Sequence, residues 1–350
     1  MSAPILSIFN ALLKNRIDII NALASPPPPQ RFIVGHLPEE HGVYGLLIGP
    51  DGSRKSWLVL HISLGVAGGR PIAIGPDGTY LWEAPERGRV VYLASEDSAN
   101  VLIRRIWSIA QLPGYEWVRD ADEFLDIVPT YSSLSLLSLD SDGRPVKTTE
   151  FDALCEYAKG ARLIVIDPLA DFFDISESDD RAARGAVALL RELSRITGAG
   201  VLGVHHQNKI GMMNGQTNHQ SGRGSSRFGA GCRWAVVLQA LSTEKGKENG
   251  VSGDELQEWT LVHESKASYC AERTPLLSMK RHVITDENGR VVTSAPASAE
   301  FADAEEVKRQ EIEGDIEKGK SKNTKKRGKN GIEPDEHEMG GEIDEFAGWK

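Results

Sequence analysis

Apolar positions along this chain follow two periods. Short continuous apolar runs stand at GVYGLLIG (42–49), RVVYLAS (89–95), LDIVP (125–129), RLIVID (162–167) and GVLGVHH (200–206). Between them, apolar residues recur at helical spacing over 55–67, 98–111, 149–159 and 179–197. Continuous apolar strands separated by helices predict a parallel sheet covered on both faces. Gly68-Gly69, Gly160 and Gly198 stand where helix C-caps belong. After residue 230 the pattern changes. RWAVVLQAL, EWTLVHES and LLSMKRHVI read as consecutive strands, and Asn288-Gly289 is a hairpin signal. The expected class is α/β: a mainly parallel sheet with helices on both faces and added antiparallel C-terminal strands.

The two ends read differently. Residues 4–24 place Ile5, Ile8, Leu12, Ile17, Ile20 and Leu23 near helical spacing, and Pro26 to Pro29 follow at once. This predicts an amphipathic helix set apart by a stiff connector. Its apolar stripe folds back on its own core or docks on a neighbouring subunit. From residue 296 the apolar pattern ends. Residues 318–329 hold seven bases and no acid, and residues 333–345 seven acids and no base. Such charge blocks rarely fold. Three segments are therefore expected: an N-terminal helix and connector (1–30), the α/β domain (31–295) and a disordered charged tail (296–350).

Composition narrows the classes. The 350 residues are 40% hydrophobic and 26% charged, with a net charge of −10. A uniformly basic nucleic-acid coat is excluded, though a local basic channel is not. The three cysteines, Cys155, Cys232 and Cys270, lie far apart without a CxxC. That excludes a disulfide scaffold or a zinc finger and fits the cytoplasm. No apolar run reaches the length of a bilayer span, so no membrane partner is expected.

Against that background the candidate chemistry stands out. The first strand runs into Gly49-Pro50-Asp51-Gly52-Ser53-Arg54-Lys55-Ser56 and then into a helix. Strand, glycine loop, Lys-Ser and helix is the context of a phosphate-binding loop. Its backbone N–H groups make an anion nest. Lys55 reaches the β- and γ-phosphates, and Ser56 ligates Mg²⁺. The implied ligands are ATP and Mg²⁺. Arg54 occupies a position where this motif wants glycine. An ordinary backbone conformation is expected there, with a positive charge added near the nucleotide. Read blandly, Gly49-x-x-Gly52 is a glycine turn.

Other strands end in polar groups. RLIVID ends in Asp167, a Walker B pattern that supports Mg²⁺ beside Ser56. RVVYLAS ends in Glu96-Asp97, on a strand expected next to that of the phosphate loop. Glu96 is placed to orient and deprotonate water, and Asp97 to start the next helix, a role open to both acids. GVLGV ends in His205-His206-Gln207, which read as γ-phosphate contacts or as core histidines. Metal ligation is rejected, because no further Cys or His cluster at ligand spacing. Residues 193–243 hold no acid but five bases: Arg195, Lys209, Arg223, Arg227 and Arg233. Within them 207–226 is polar and aperiodic, a long loop suited to DNA phosphates or simply a solvated one.

LLIGPDGSRKS, YLASED, LIVIDPLADFF, GVHHQNK, RGSSRFGAGCRW and ESKASY occur in the order seen in one family. Over about residues 31–280 the chain resembles RecA-like P-loop ATPases of the plasmid RepA hexameric helicase group, the AAA_25-type domain. The resemblance implies a hexameric ring with ATP between subunits, moving on single-stranded DNA. It implies Lys55 and Ser56 as the Walker A pair, Asp167 as the Walker B acid and Glu96 as the catalytic glutamate. It further implies His206 as the γ-phosphate sensor and Arg233 as an arginine finger given to a neighbour, with Arg223 the alternative. Lys266 matches a strand near the ring interface. Lys209, Arg223 and Arg227 are the expected DNA-binding loop residues. Phe346 and Trp349 in the acidic tail form a docking peptide for a replication protein or a competitor for the DNA channel, if the tail is not simply solvated. The expected function is a DNA-stimulated ATPase and helicase of a plasmid, phage or integrated element. The alternatives are a nucleotide-binding replication regulator that does not hydrolyse and a RecA-type recombinase.

Overall fold

The computed structural model describes residue 10 and residues 12–130, 134–173, 179–207, 226–270 and 275–301. The chain divides into two units, residues 1–247 with 251–300, and 248–250 with 301–350. The sheet and the site lie in the first. Two strands, β1 (Phe32–Val34) and β2 (Leu37–Pro38), form a small hairpin before the main sheet. The phosphate-loop strand is β3 (Tyr44–Gly49), followed by β4 (Val90–Ala94) and β5 (Leu125–Pro129). A second small ladder pairs β6 (Leu137–Leu139) with β7 (Pro145–Lys147). Then come β8 (Leu163–Asp167), β9 (Gly200–His206), β10 (Trp234–Ala240), β11 (Trp259–Ala267), β12 (Leu277–Thr285) and β13 (Val291–Ser298).

Nine of these strands form one sheet in the order β13-β12-β11-β10-β3-β9-β8-β4-β5. From β10 to β5 every pairing is parallel, and from β10 to β13 every pairing is antiparallel. This is the expected α/β architecture, a mainly parallel sheet extended by antiparallel C-terminal strands. Two placements differ from the sequence reading. β10 pairs parallel with β3, so it belongs to the parallel core and the antiparallel run starts after it. β4 is not next to the phosphate-loop strand, because β9 and β8 lie between them. The folded core also reaches past residue 295, since Ala297 and Ser298 of β13 are buried.

Strand periodicity divides the core in two. In β3, Leu47 joins one apolar cluster while Leu46 and Ile48 join the other. The first cluster is covered by helices Lys55–Gly68 and Ala99–Ala110, the second by helices Thr149–Tyr157 and Asp180–Thr197. Two of the expected capping positions hold, while helix Thr149–Tyr157 ends on Ala158, two residues before Gly160. Gly69 (φ 62°) and Gly198 (φ 77°) close their helices in the left-handed conformation.

The expected helix over 4–24 is not continuous among the described residues. Asp18 caps a separate turn, Ile19–Ala22, accepting from the backbone N–H groups of Ile20 and Asn21. Leu12, Ile17, Ile20 and Leu23 are exposed. No helix among the described residues is long and apolar enough to cross a membrane. The charged tail lies outside the described residues, apart from its first residues up to Phe301.

Candidate nucleotide site

β3, β4, β8 and β9 all end on one edge of the sheet, where parallel α/β folds bind ligands. A pocket of about 540 Å³ opens there, lined by the phosphate loop from Asp51 to Trp57 and by Glu96, Asp97, Arg105 and His206. Two glycines are needed for the path of this loop. Gly49 has no room for a side chain, since a Cβ would stand 2.5 Å from Ser53 Oγ and 3.1 Å from the Leu238 carbonyl. Gly52 adopts φ 75°.

Arg54 corrects the expectation of an ordinary conformation. It takes φ 68° and ψ 24°, the left-handed region that the motif's glycine would occupy. Its guanidinium turns to the antiparallel side of the sheet. Nη1 donates to Thr260 Oγ1 and Nη2 to the Gln257 carbonyl, both at 2.6 Å. The loop keeps its path because the side chain is held from outside. Part of the expected charge near the nucleotide is thus directed to neutral acceptors.

Lys55 Nζ donates to the carbonyls of Gly49 (2.9 Å) and Pro50 (2.8 Å), spanning the loop that it would fill with phosphate. Burial pushes its pKa down, opposed by the fields of Asp51, Asp167 and Glu96. Ser53 Oγ is buried without a hydrogen-bond partner. A buried hydroxyl left unsatisfied is costly. Beside the Lys55 ammonium it fits a phosphate oxygen, and the residues present therefore suit a nucleoside triphosphate.

Asp167 is buried, and burial raises its carboxyl to about 6 despite hydrogen bonds from Tyr92 and Ser56. Tyr92 Oη donates to Asp167 Oδ2 at 2.8 Å. A carboxylate so buried beside Ser56 suits a cation that would compensate its charge. Among the described residues no group of three or more His, Cys, Asp or Glu side chains forms a protein-only metal site.

The histidines separate. His205 is buried, its ring tilted against Phe228 at 5.2 Å, which makes it the core histidine. His206 faces the pocket. Its Nδ1 lies 2.7 Å from Asp51 Oδ1 and its Nε2 3.3 Å from Glu96 Oε1. The next backbone N–H, that of Gln207, bonds the Gly49 carbonyl at 3.1 Å. So β9 supplies the group that joins the phosphate loop to Glu96 across the gap left by β4's distant position.

Asp97 does not cap the next helix. It pairs with Arg105, and Ser98 is the N-cap residue. Arg105 in turn stands 5.6 Å from the centroid of the Trp57 ring. Trp57 and Arg105 line the pocket and went unrecognised in the sequence. Only the position of Trp57, directly after Ser56 on the loop's helix, could have flagged it.

The residues expected to act on DNA or on a neighbour lie elsewhere. Lys209 and Arg223 fall outside the described residues. Arg227 is not in a loop; it begins a short helix, Arg227–Gly231, and pairs with Asp180 at 2.9 Å. Arg233 N bonds the carbonyl of Tyr44, at the start of β3. Five strand residues then separate it from the phosphate loop of its own chain, roughly 16 Å. Lys266 Nζ bonds the carbonyls of Gly229 and Ala230 at 3.0 and 3.1 Å.

Residues 11–212 match the family described as AAA domain. Among solved structures, the crystal structure of the RadB recombinase is similar at 13% identity and a TM-score of 0.41, covering 69% of this chain and 87% of that one. With the family match extending over more than half of its length, the chain belongs to the AAA domain family.

Proposed function

We propose that this protein hydrolyses ATP to move along single-stranded DNA as a ring of identical subunits, a helicase of the plasmid RepA type serving replication of a plasmid, phage or integrated element. The observation that carries the hydrolytic part is the Asp51–His206–Glu96 chain across the pocket that Lys55 also lines. In this reading Glu96 takes the proton of the attacking water, which is general-base work suited to an accessible carboxylate. His206 holds Glu96 toward the loop and exchanges its Asp51 contact for the γ-phosphate. Lys55 leaves the Gly49 and Pro50 carbonyls for phosphate oxygens. Ser56 and Asp167 would hold Mg²⁺, which would supply charge neutralisation for phosphoryl transfer.

Arg233 lies too far along the sheet to serve its own phosphate loop. Its role is therefore a charge supplied to a neighbour, and that makes turnover depend on assembly. Lys209 and Arg223, with Arg227, contact DNA, and six copies would focus positive potential in one channel. The tail residues Phe346 and Trp349 are left to a replication partner.

The test is ATP hydrolysis by the full chain with and without single-stranded DNA, beside Lys55→Ala. Turnover that DNA stimulates and Lys55→Ala abolishes is the expected result. Binding of ATP without turnover under either condition would replace this reading by that of a non-hydrolysing regulator.

A further inference from the structure

Helix Asp180–Thr197 carries an unusual division of charge. Its inner side is apolar, with Ala183, Ala186, Leu190 and Leu193 buried in the core. Its outer side bears Arg181, Arg184, Arg191 and Arg195. At 3.6 residues per turn these four fall within an arc of roughly 80°. The helix has only two other charged outward residues, Asp180 and Glu192, and each already meets a cation. Asp180 pairs with Arg227 at 2.9 Å, and Glu192 stands 3.7 Å from Lys147.

Beside this stripe lies the short helix Arg227–Gly231. A cleft of about 320 Å³ opens between the two, lined by Arg184, Arg191 and Arg227 with Val187, Ala188 and Ala230. Among the described residues no acidic side chain lines it. The carbonyls ending the short helix would repel an anion, but they are occupied. Arg191 Nη2 donates to Gly231 O at 2.9 Å, Lys266 to Gly229 O and Ala230 O, and Tyr44 Oη to Phe228 O at 2.6 Å. Three arginines thus line a cleft walled by small residues, Arg191 held on Gly231 O and Arg227 on Asp180 Oδ2, in a protein of net charge −10.

We propose that this arginine cleft and the stripe leading from it bind the sugar–phosphate backbone of single-stranded DNA, apart from the segment 208–225. The proposal rests on DNA being the ligand, as argued above. Guanidinium forks match phosphate oxygens, and Ala188 and Ala230 leave room for a backbone to come close. Among the described residues no aromatic side chain lines the cleft, so the contact is to phosphate and insensitive to sequence.

Binding of fluorescein-labelled oligo-dT, followed by anisotropy over a salt series, tests it. The variant is Arg181→Gln/Arg184→Gln/Arg195→Gln, which spares Arg191 and Arg227 because both bond the fold. A second variant replaces the same three by Lys. Circular dichroism and melting curves check folding. Loss of three phosphate contacts should make the slope of log K against log salt shallower by about 2, and affinity should fall at least ~10-fold in low salt. The Lys variant should keep most of the slope. A Gln variant that binds like the wild type overturns the cleft while leaving DNA as the ligand. A wild type that binds no DNA overturns both. An unchanged salt slope with altered sedimentation would make this face a contact between copies, which also overturns the proposal.

Discussion

His206 Nε2 stands 3.3 Å from Glu96 Oε1, although the strands that carry the two residues are separated by β8 in the sheet. The same ring holds Asp51 of the phosphate loop at 2.7 Å. One imidazole therefore ties the loop, the end of β9 and the acid following β4. Glu96→Gln keeps the shape of the side chain and removes its basicity. Turnover should fall ~10²–10⁴-fold, as for loss of a general base, with nucleotide affinity kept within a few-fold. His206→Ala should lower turnover less. Steady-state hydrolysis beside a fluorescent-nucleotide titration reads both. A Glu96→Gln protein turning over at the wild-type rate would remove Glu96 from the reaction.

Arg54 is held in a left-handed conformation by two outward hydrogen bonds. For a residue with a Cβ that conformation costs about 1–2 kcal/mol, while hydrogen bonds from a charged donor return about 1.5–3 kcal/mol each before solvent competition. Arg54→Gly loses the bonds and the strain together. Arg54→Ala loses the bonds and keeps the strain. Thermal melts should rank the wild type first, Arg54→Gly second by about 1 kcal/mol, and Arg54→Ala last. A glycine variant below the alanine one would contradict this reading of the loop.

His61 is buried between Tyr115 Oη (2.8 Å) and the Pro296 carbonyl (2.7 Å), and burial lowers its pKa from 6.5 to about 4. The unfolded chain therefore binds a proton there that the folded chain refuses. This contribution is complete above pH 6.5 and is lost as pH falls toward 4, up to about 3 kcal/mol. Urea unfolding of the wild type and His61→Gln at pH 7 and pH 4.5 isolates it. The variant should lose less stability between the two pH values. Equal losses would show that His61 does not carry the effect.

Gly231 packs where no side chain fits. A Cβ would stand 2.5 Å from Tyr44 Oη and 2.9 Å from Val187 Cγ1. Tyr44 is fully buried and hydrogen-bonded to Phe228 O, so it cannot simply move aside. Gly231→Ala should destabilise by about 1–3 kcal/mol through overpacking. A denaturant midpoint equal to that of the wild type would mean that the two helices separate without cost.

The main strands and helices were legible because their signals are local. Continuous apolar runs bounded by glycine mark β3, β4, β8 and β9, and helical spacing marks the helices between them. The two small ladders, β1–β2 and β6–β7, escaped because two- and three-residue strands carry no period. The pocket's Trp57 and Arg105 escaped for another reason. They are 48 positions apart, and no spacing rule joins them.

The order of elements, the phosphate loop and the polar residue ending each central strand are properties of this sequence alone, since hydrophobic period and motif chemistry are written along the chain. Which strand lies beside which is not. The place of β9 between β3 and β8 decides that His206, not His205, meets both Asp51 and Glu96. The antiparallel strands likewise bring Thr260 to Arg54, so that a residue unsuited to its backbone conformation is held there. Both outcomes depend on contacts between segments more than 100 residues apart in sequence, and only packing of the whole sheet sets them.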